Sequence, residues 1–285
     1  MGQVAATERF VRAVSGPEDD LRLDEACLLI SARAGSDDVD GVVTNGLLGL
    51  DDLAASCPAA SVDELRGHLF GRLGFRGDQR RYSDPRNSYL DQVVARRMGI
   101  PITLAVLTVE VGRRLGVDLD PVGMPGHFLV GDPSTGGYID AFAGGRLLDE
   151  RGCHRLFLEL AGPEAAWSRD LLDPVGPHAV LARILANLRQ SFAEANDLTN
   201  LDWVLELRVS IPGVPIQERS QRAAVLSALG RFDEAASELE TLAGLEESGG
   251  TRHPSAGPLG PNNQAATNLA VELRHRAARL RARLN

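Results

Sequence analysis

The chain is 285 residues long, 44% hydrophobic and 24% charged, enough apolar material for one large core or two smaller ones. Its formal net charge of -9 argues against nucleic-acid binding by bulk electrostatics, and the absence of lysine excludes a lysine Schiff base and a lysine-dependent phosphate loop. The three cysteines, Cys27, Cys57 and Cys153, are widely spaced with no CxxC, which predicts free thiols in a reducing cytoplasm.

The chain opens on MGQVAATERFVRAV, which has no apolar signal core. The longest apolar run, residues 100–111, is too short to span a bilayer. No membrane association is expected. Residues 1 to about 75 read as helices. LRLDEACLLISARA places apolar side chains at helical spacing, with Cys27 on the core side. In SVDELRGHLFGRLGF, Ser61 followed by Glu64 is a capping-box signature. A further helix is predicted from Ser88 to Met98, with Arg96 and Arg97 serving its end or the solvent. Pro101 then opens a helix whose polar interruptions up to Val111 are Thr103, Thr108 and Glu110. A helix apolar on nearly every side is buried on nearly every side, so this is the expected core helix, ending at Gly116.

Short strands bounded by Gly and Pro follow: VDLDPVGM, GHFLVGD, GYIDAF and GRLLD. If the tight loop between the second and third is 132–135, His127 lies directly opposite Asp140. A slip of one residue would put the two on opposite faces. After Trp167 the pattern is helical again, over 179–194, 201–209, 217–229 and 233–245. LGRFDEAASELETL has the spacing of a tetratricopeptide helix pair. Residues 247–263 read as a mobile Gly/Pro/Ser-rich linker, and 264–285 as a basic helix dispensable for folding.

A polar entry, a buried helix, a strand His and a strand Asp, in that order, form the skeleton of a papain-like or transglutaminase-like Cys-His-Asp site. DPRNSYLDQVVARRMGIPITLAVLTVEVGRRLGV, PGHFLV and IDAFAGGRLL resemble the SirB family, which pairs a transglutaminase-like domain with a tetratricopeptide-like C-terminal region. The resemblance runs from DEACLLISA to LGRFDEAA, and Gly77-Asp78 departs from an expected Gly-Asn. It implies an α+β fold over 1–165, with a central helix packed on an antiparallel sheet, and a helical domain over 176–246. It also implies that His127 matches a general-base His and Asp140 its orienting Asp. Pro101 takes the place of the nucleophilic Cys that opens the helix in true transglutaminases.

Each candidate has a plain reading beside the functional one. His127 can be a structural strand histidine, and Asp140 a turn residue. Thr103, two residues beyond Pro101, is a candidate nucleophile or a hydroxyl bonding backbone. Asp84, Arg86, Asn87 and Ser88 either line the cleft with Pro101 or cap the next helix. Cys153 and His154 are adjacent and face different ways, a poor dyad. No metal motif or nucleotide loop stands out, so no cofactor is expected. Two functions follow: a non-catalytic protein that grips a peptide or protein partner, or an acyl-transfer or amide-hydrolysing enzyme using His127 and Asp140 with an unconventional nucleophile.

Overall fold

The computed structural model describes residues 2–248 and 263–284. They divide into two compact units, one up to Leu188 and one from Arg189 on. The first begins with a helical layer: α1 (Gly2–Val14), α2 (Leu23–Arg33), α3 (Val39–Ala55) and the short α4 (Val62–Arg66), which runs on into a π-helical segment, Gly67–Arg72. In α1, Ala6, Phe10 and Val14 recur every fourth residue and are buried, so one stripe of this otherwise polar helix joins the core. Asp38 caps α3 by accepting from the Gly41 amide at 2.9 Å. Ser61 caps α4, accepting from the Glu64 amide at 3.3 Å. The reciprocal half of the capping box is not made; the Glu64 carboxylate pairs with Arg72 at 3.1 Å.

The helix predicted from Ser88 is shorter, α5 (Leu90–Arg96), preceded by a 3-10 turn over Pro85–Asn87. Arg97 leaves the helix in the left-handed conformation (φ 56°), and Met98–Gly99 (β2) pairs in parallel with Arg76–Gly77 (β1). This two-residue ladder carries no periodicity a sequence could display. α6 (Pro101–Leu115) is buried along almost its whole length and ends on Gly116 at φ 72°. It packs against α2, α3, α4 and α5 as well as against β3 (Asp120–Val122) and β4 (Leu129–Asp132).

β3, β4, β5 (Gly137–Asp140) and β6 (Arg146–Leu148) form an antiparallel meander. Val122, Leu129 and Tyr138 share one face and pack with Cys153 and Phe157 of α7 (Glu150–Ala161). The architecture mixes helix and sheet, as the sequence predicts.

After α8 (Pro177–Glu194), the second unit stacks α9 (Leu198–Arg208), α10 (Glu218–Ala228), α11 (Phe232–Glu247) and α12 (Asn263–Arg281), each against the next. The predicted linker falls largely outside the described residues. The expectation that the basic helix is dispensable is corrected. Ala270, Leu273 and Ala277 of α12 are buried against Leu239, Leu242 and Ala243 of α11. Arg274 pairs with Glu247 at 2.5 Å, and Arg281 pairs with Glu240 and Asp233. The chemistry is ordinary: small residues and Leu at helical spacing form a narrow apolar seam that the abundant arginines conceal in a composition reading.

Candidate functional site

Met124-Pro125-Gly126-His127 is a tight turn. The His127 amide donates to the Met124 carbonyl at 3.0 Å, and Gly126 sits at φ 77°. Proline at the second position and a positive-φ glycine at the third are the requirements of a type II turn. The turn delivers His127 just ahead of β4, not within a strand. β4 and β5 pair as Val130↔Ile139, Gly131↔Tyr138 and Asp132↔Gly137. That register is two residues away from the one expected from a 132–135 loop, because the loop spans Asp132 to Gly137. Asp132 closes it, accepting from the hydroxyls of Ser134 (2.6 Å) and Thr135 (2.7 Å). A shift of two keeps side chains on the same face, whereas a shift of one would not. His127 Nε2 therefore still meets Asp140 Oδ1, at 2.9 Å, with both side chains buried.

Asp140 ends β5, and all its bonding capacity is directed. Oδ1 also accepts from the Ala143 amide at 3.1 Å, and Oδ2 accepts from Arg146 Nη2 at 3.0 Å. Arg146 lies directly opposite Asp140 on β6. Burial alone would push this carboxyl up. The hydrogen bond and charge of His127, the Ala143 amide and Arg146 outweigh it and hold it below the usual carboxylate range. A carboxylate can only accept, so in this pair His127 Nε2 carries a proton and donates it to Asp140. Among the described residues Asp140 is the one hydrogen-bond partner of the His127 ring, and Nδ1 makes no bond there.

Phe142 frames the pair. Its ring stands edge-on to His127 (6.1 Å between centroids) and to Tyr82 (6.0 Å). It also lies against Gly77, where a Cβ would collide with the ring, so this position in β1 is restricted to glycine. Phe142 also lines a cleft of about 780 Å³, together with Arg76, Asp78, Arg80, Arg81, Met98 and Gly144.

The other sequence candidates gather elsewhere. Pro101 is buried at the first position of α6. The Thr103 hydroxyl, 1% exposed by residue, donates to the Asn87 carbonyl at 2.6 Å and accepts from the Ile100 amide at 3.2 Å. Its proton is committed to backbone, which corrects the candidate nucleophile to a cap. Asn87 is fully buried. Its amide donates to the Arg81 carbonyl at 2.7 Å, and its oxygen accepts from Arg96 at 3.1 Å. Arg96 also reaches Asp78 at 3.5 Å, so it is an internal tie rather than a helix-end or solvent residue. Asp84 and Arg86 form a bidentate pair at the 3-10 turn, and Ser88 is buried after it. None of Asp84, Arg86, Asn87, Ser88 and Pro101 is among the residues lining the 780 Å³ cleft.

Arg146, Phe142 and the Ala143 amide were not singled out in the sequence. The hairpin implied by YIDAFAGGRLL was the available signal for Arg146, since a six-residue spacing returns the chain opposite Asp140. Cys27 and Cys153 are buried. Burial pushes Cys27 well up and Cys153 up to about 12, the latter reinforced by Asp149 and Asp140. His154 stacks on Trp167 at 4.8 Å, away from any dyad with Cys153. Among the described residues no cluster of His, Cys, Asp and Glu could hold a metal ion, and no helix is long and apolar enough to cross a membrane.

Central helix, antiparallel sheet and a buried His-Asp pair at the sheet end define the class. Residues 34–186, more than half of the chain, match the transglutaminase-like superfamily, and the chain belongs to it. A UPF0162 protein of Xylella fastidiosa strain 9a5c is 46% identical over 134 residues, 45% of this chain and 48% of the relative. A UPF0162 protein of Pseudomonas aeruginosa is 34% identical over 155 residues, 52% and 57% of the two chains. F-box only protein 21 of Mus musculus is 37% identical over 137 residues, 45% of this chain but 21% of the mouse protein. The chain thus spans about half the length of the bacterial relatives it matches. No solved structure matches it.

Proposed function

We propose that this protein is a non-catalytic binding or regulatory member of the superfamily, which engages a peptide or protein partner through the cleft beside His127 and Asp140. The observation that carries this reading is the opening of α6. Thiol chemistry of this type starts from a thiolate held at a helix N-terminus beside an imidazole. Here Pro101 opens α6, where the family resemblance puts that thiol, the Thr103 hydroxyl is spent on the Asn87 carbonyl, and Cys27 and Cys153 are buried. In the SirB reading, the helices after residue 176 are a tetratricopeptide-like annex that gives the partner a second surface, and the protein works in the reducing cytoplasm. The recurrence of the same domain as a 21% stretch of a mouse F-box protein suits a portable recognition unit.

One observation favours a second reading. His127 donates from Nε2 to Asp140 and makes no bond at Nδ1 among the described residues, the arrangement of a general base, so an amide-hydrolysing enzyme that activates water is the competing function. The test places a photo-crosslinking benzoylphenylalanine at exposed Tyr82. The expected result is a discrete adduct in living cells that disappears when Phe142 is changed to Ala. Release of product from peptide amides by the purified protein, lost in His127→Ala, would establish the enzyme instead.

A further inference from the structure

Three arginines share the wall of the 780 Å³ cleft. Arg76, Arg80 and Arg81 line it and are exposed, and none forms an ion pair among the described residues; Arg76 reaches no more than the Gly74 carbonyl, at 3.5 Å. Elsewhere in the same unit Arg9, Arg72, Arg86 and Arg114 each hold a carboxylate. Among the described residues lining the cleft the single acid is Asp78, and it does not neutralise the three. It is buried, and its oxygens accept from the Arg81 amide (3.0 Å), from Asn87 and from Arg96. In a chain of net charge -9, three free guanidinium groups on one concave wall are a local reversal of sign.

We infer that this cleft binds an acidic peptide segment, its carboxylates paired with Arg76, Arg80 and Arg81 and its backbone passing over Met98 and Phe142. This rests on the partner-binding reading above and names the chemistry of that partner. Planar guanidinium forks match carboxylates in bidentate geometry. The cleft's volume lies within the roughly 300–1,000 Å³ of sites that enclose a ligand much larger than a single anion. Met98 and Phe142 offer apolar contact between the charges, which a peptide can use and a free inorganic anion cannot.

Fluorescence anisotropy on the full chain, at low ionic strength, tests this with fluorescein-labelled hexaglutamate. Hexaglutamate is expected to bind at least roughly tenfold more tightly than labelled hexaglutamine. Arg80→Gln/Arg81→Gln, two exposed side chains with no structural partner, is expected to weaken it at least roughly tenfold. Arg276→Gln, an exposed arginine of α12, is expected to leave it unchanged. Circular dichroism identical to the parent confirms that the double variant is folded. Equal binding of hexaglutamine, undiminished binding by the double variant, or displacement by an equal concentration of inorganic phosphate each overturns the inference. Tighter binding of a labelled oligothymidylate of the same charge also overturns it, in favour of nucleic acid. Absence of hexaglutamate binding while the Tyr82 adduct persists sinks the acidic chemistry alone and leaves the partner reading in place.

Discussion

Two buried charge clusters in the first unit can be set side by side. In one, Asp24 of α2 accepts from Arg22 (3.3 Å), Arg113 (3.1 Å) and Arg114 (2.7 Å), while Glu110 of α6 accepts from Arg113 (2.9 Å) and Arg114 (3.0 Å). In the other, Asp140 accepts from His127, Arg146 and the Ala143 amide. Both hold carboxyls away from their ordinary values. Burial pushes Asp24 up, but the Arg114 and Arg22 hydrogen bonds overcome it and leave it low; Glu110 goes up through burial and the adjacent Asp24 charge. A perturbed carboxyl therefore does not distinguish the two. What does is the unspent group. Every donor aimed at the first cluster ends on a carboxylate there, whereas the second leaves His127 Nδ1 without a hydrogen bond among the described residues. The first cluster ties α2 to α6, and in the proposed function the second faces a partner.

Breaking the first cluster should have the largest effect. Asp24→Ala removes the buried carboxylate that Arg22, Arg113 and the mostly buried Arg114 share, and a loss of about 3–5 kcal/mol in urea unfolding is expected. Asp140→Asn should cost less, roughly 1–3 kcal/mol, because the Ala143 amide and His127 keep an accepting oxygen while Arg146 loses its charge partner. A larger loss from Asp140 than from Asp24 would reverse the assignment of structural and functional clusters.

The same pair separates in pH. Asp24 and Asp140 both have lowered carboxyls in the folded state, so the stability each contributes is fully present above the ordinary value near about 4 and is lost as pH falls through the lowered one. Glu110 has the opposite sign. Its raised carboxyl takes stability away as pH rises from the ordinary value toward the raised one. Asp140→Asn should therefore flatten the acid limb of the stability profile between about pH 4 and lower values, without changing it near neutrality in slope. An unchanged acid limb would mean that His127 and Arg146 do not hold the carboxylate as the geometry requires.

How much of this was legible in the sequence follows from what each feature depends on. The core helix from Pro101 to Gly116 could be read because its cause is local: a proline that starts it, a glycine that ends it and apolar residues all round. The His127–Asp140 pair could be read only to within a multiple of two residues. Alternation fixes the face, but the loop from Asp132 to Gly137 fixes the register, and its closure depends on the Ser134 and Thr135 hydroxyls. Arg96, Asn87 and Asp78 were not legible as a set, since their association depends on the β1–β2 ladder, two residues on each side. The α11–α12 seam was hidden for another reason: Ala270 and Ala277 are small, and the arginines around them dominate the average.

The smallest expected effect is on the thiols, and it bears directly on whether His127 serves a nucleophile. Cys27 and Cys153 are buried with their thiols pushed up, so iodoacetamide near neutral pH should reach them only at the rate at which the fold opens. Cys57 is partly exposed, its sulfur 3.5 Å from the Ala59 carbonyl, and among the described residues no imidazole bonds it. It should alkylate at the rate of an ordinary peptide thiol. If His127 faces a partner rather than a sulfur, His127→Ala should leave all three rates as they were, because removing an imidazole changes a thiol only where the two share a proton. The variant's stability should fall by about 1 kcal/mol, the value of one hydrogen bond, since Asp140 retains Arg146 and the Ala143 amide. A cysteine that reacts faster than free thiol in the native protein, and slows in His127→Ala, would mean that one of the three approaches the ring in solution. The open Nδ1 would then belong to a displaced Cys-His-Asp site, and the contrast between a tying cluster and a receiving one would become a contrast between a structural and a catalytic one.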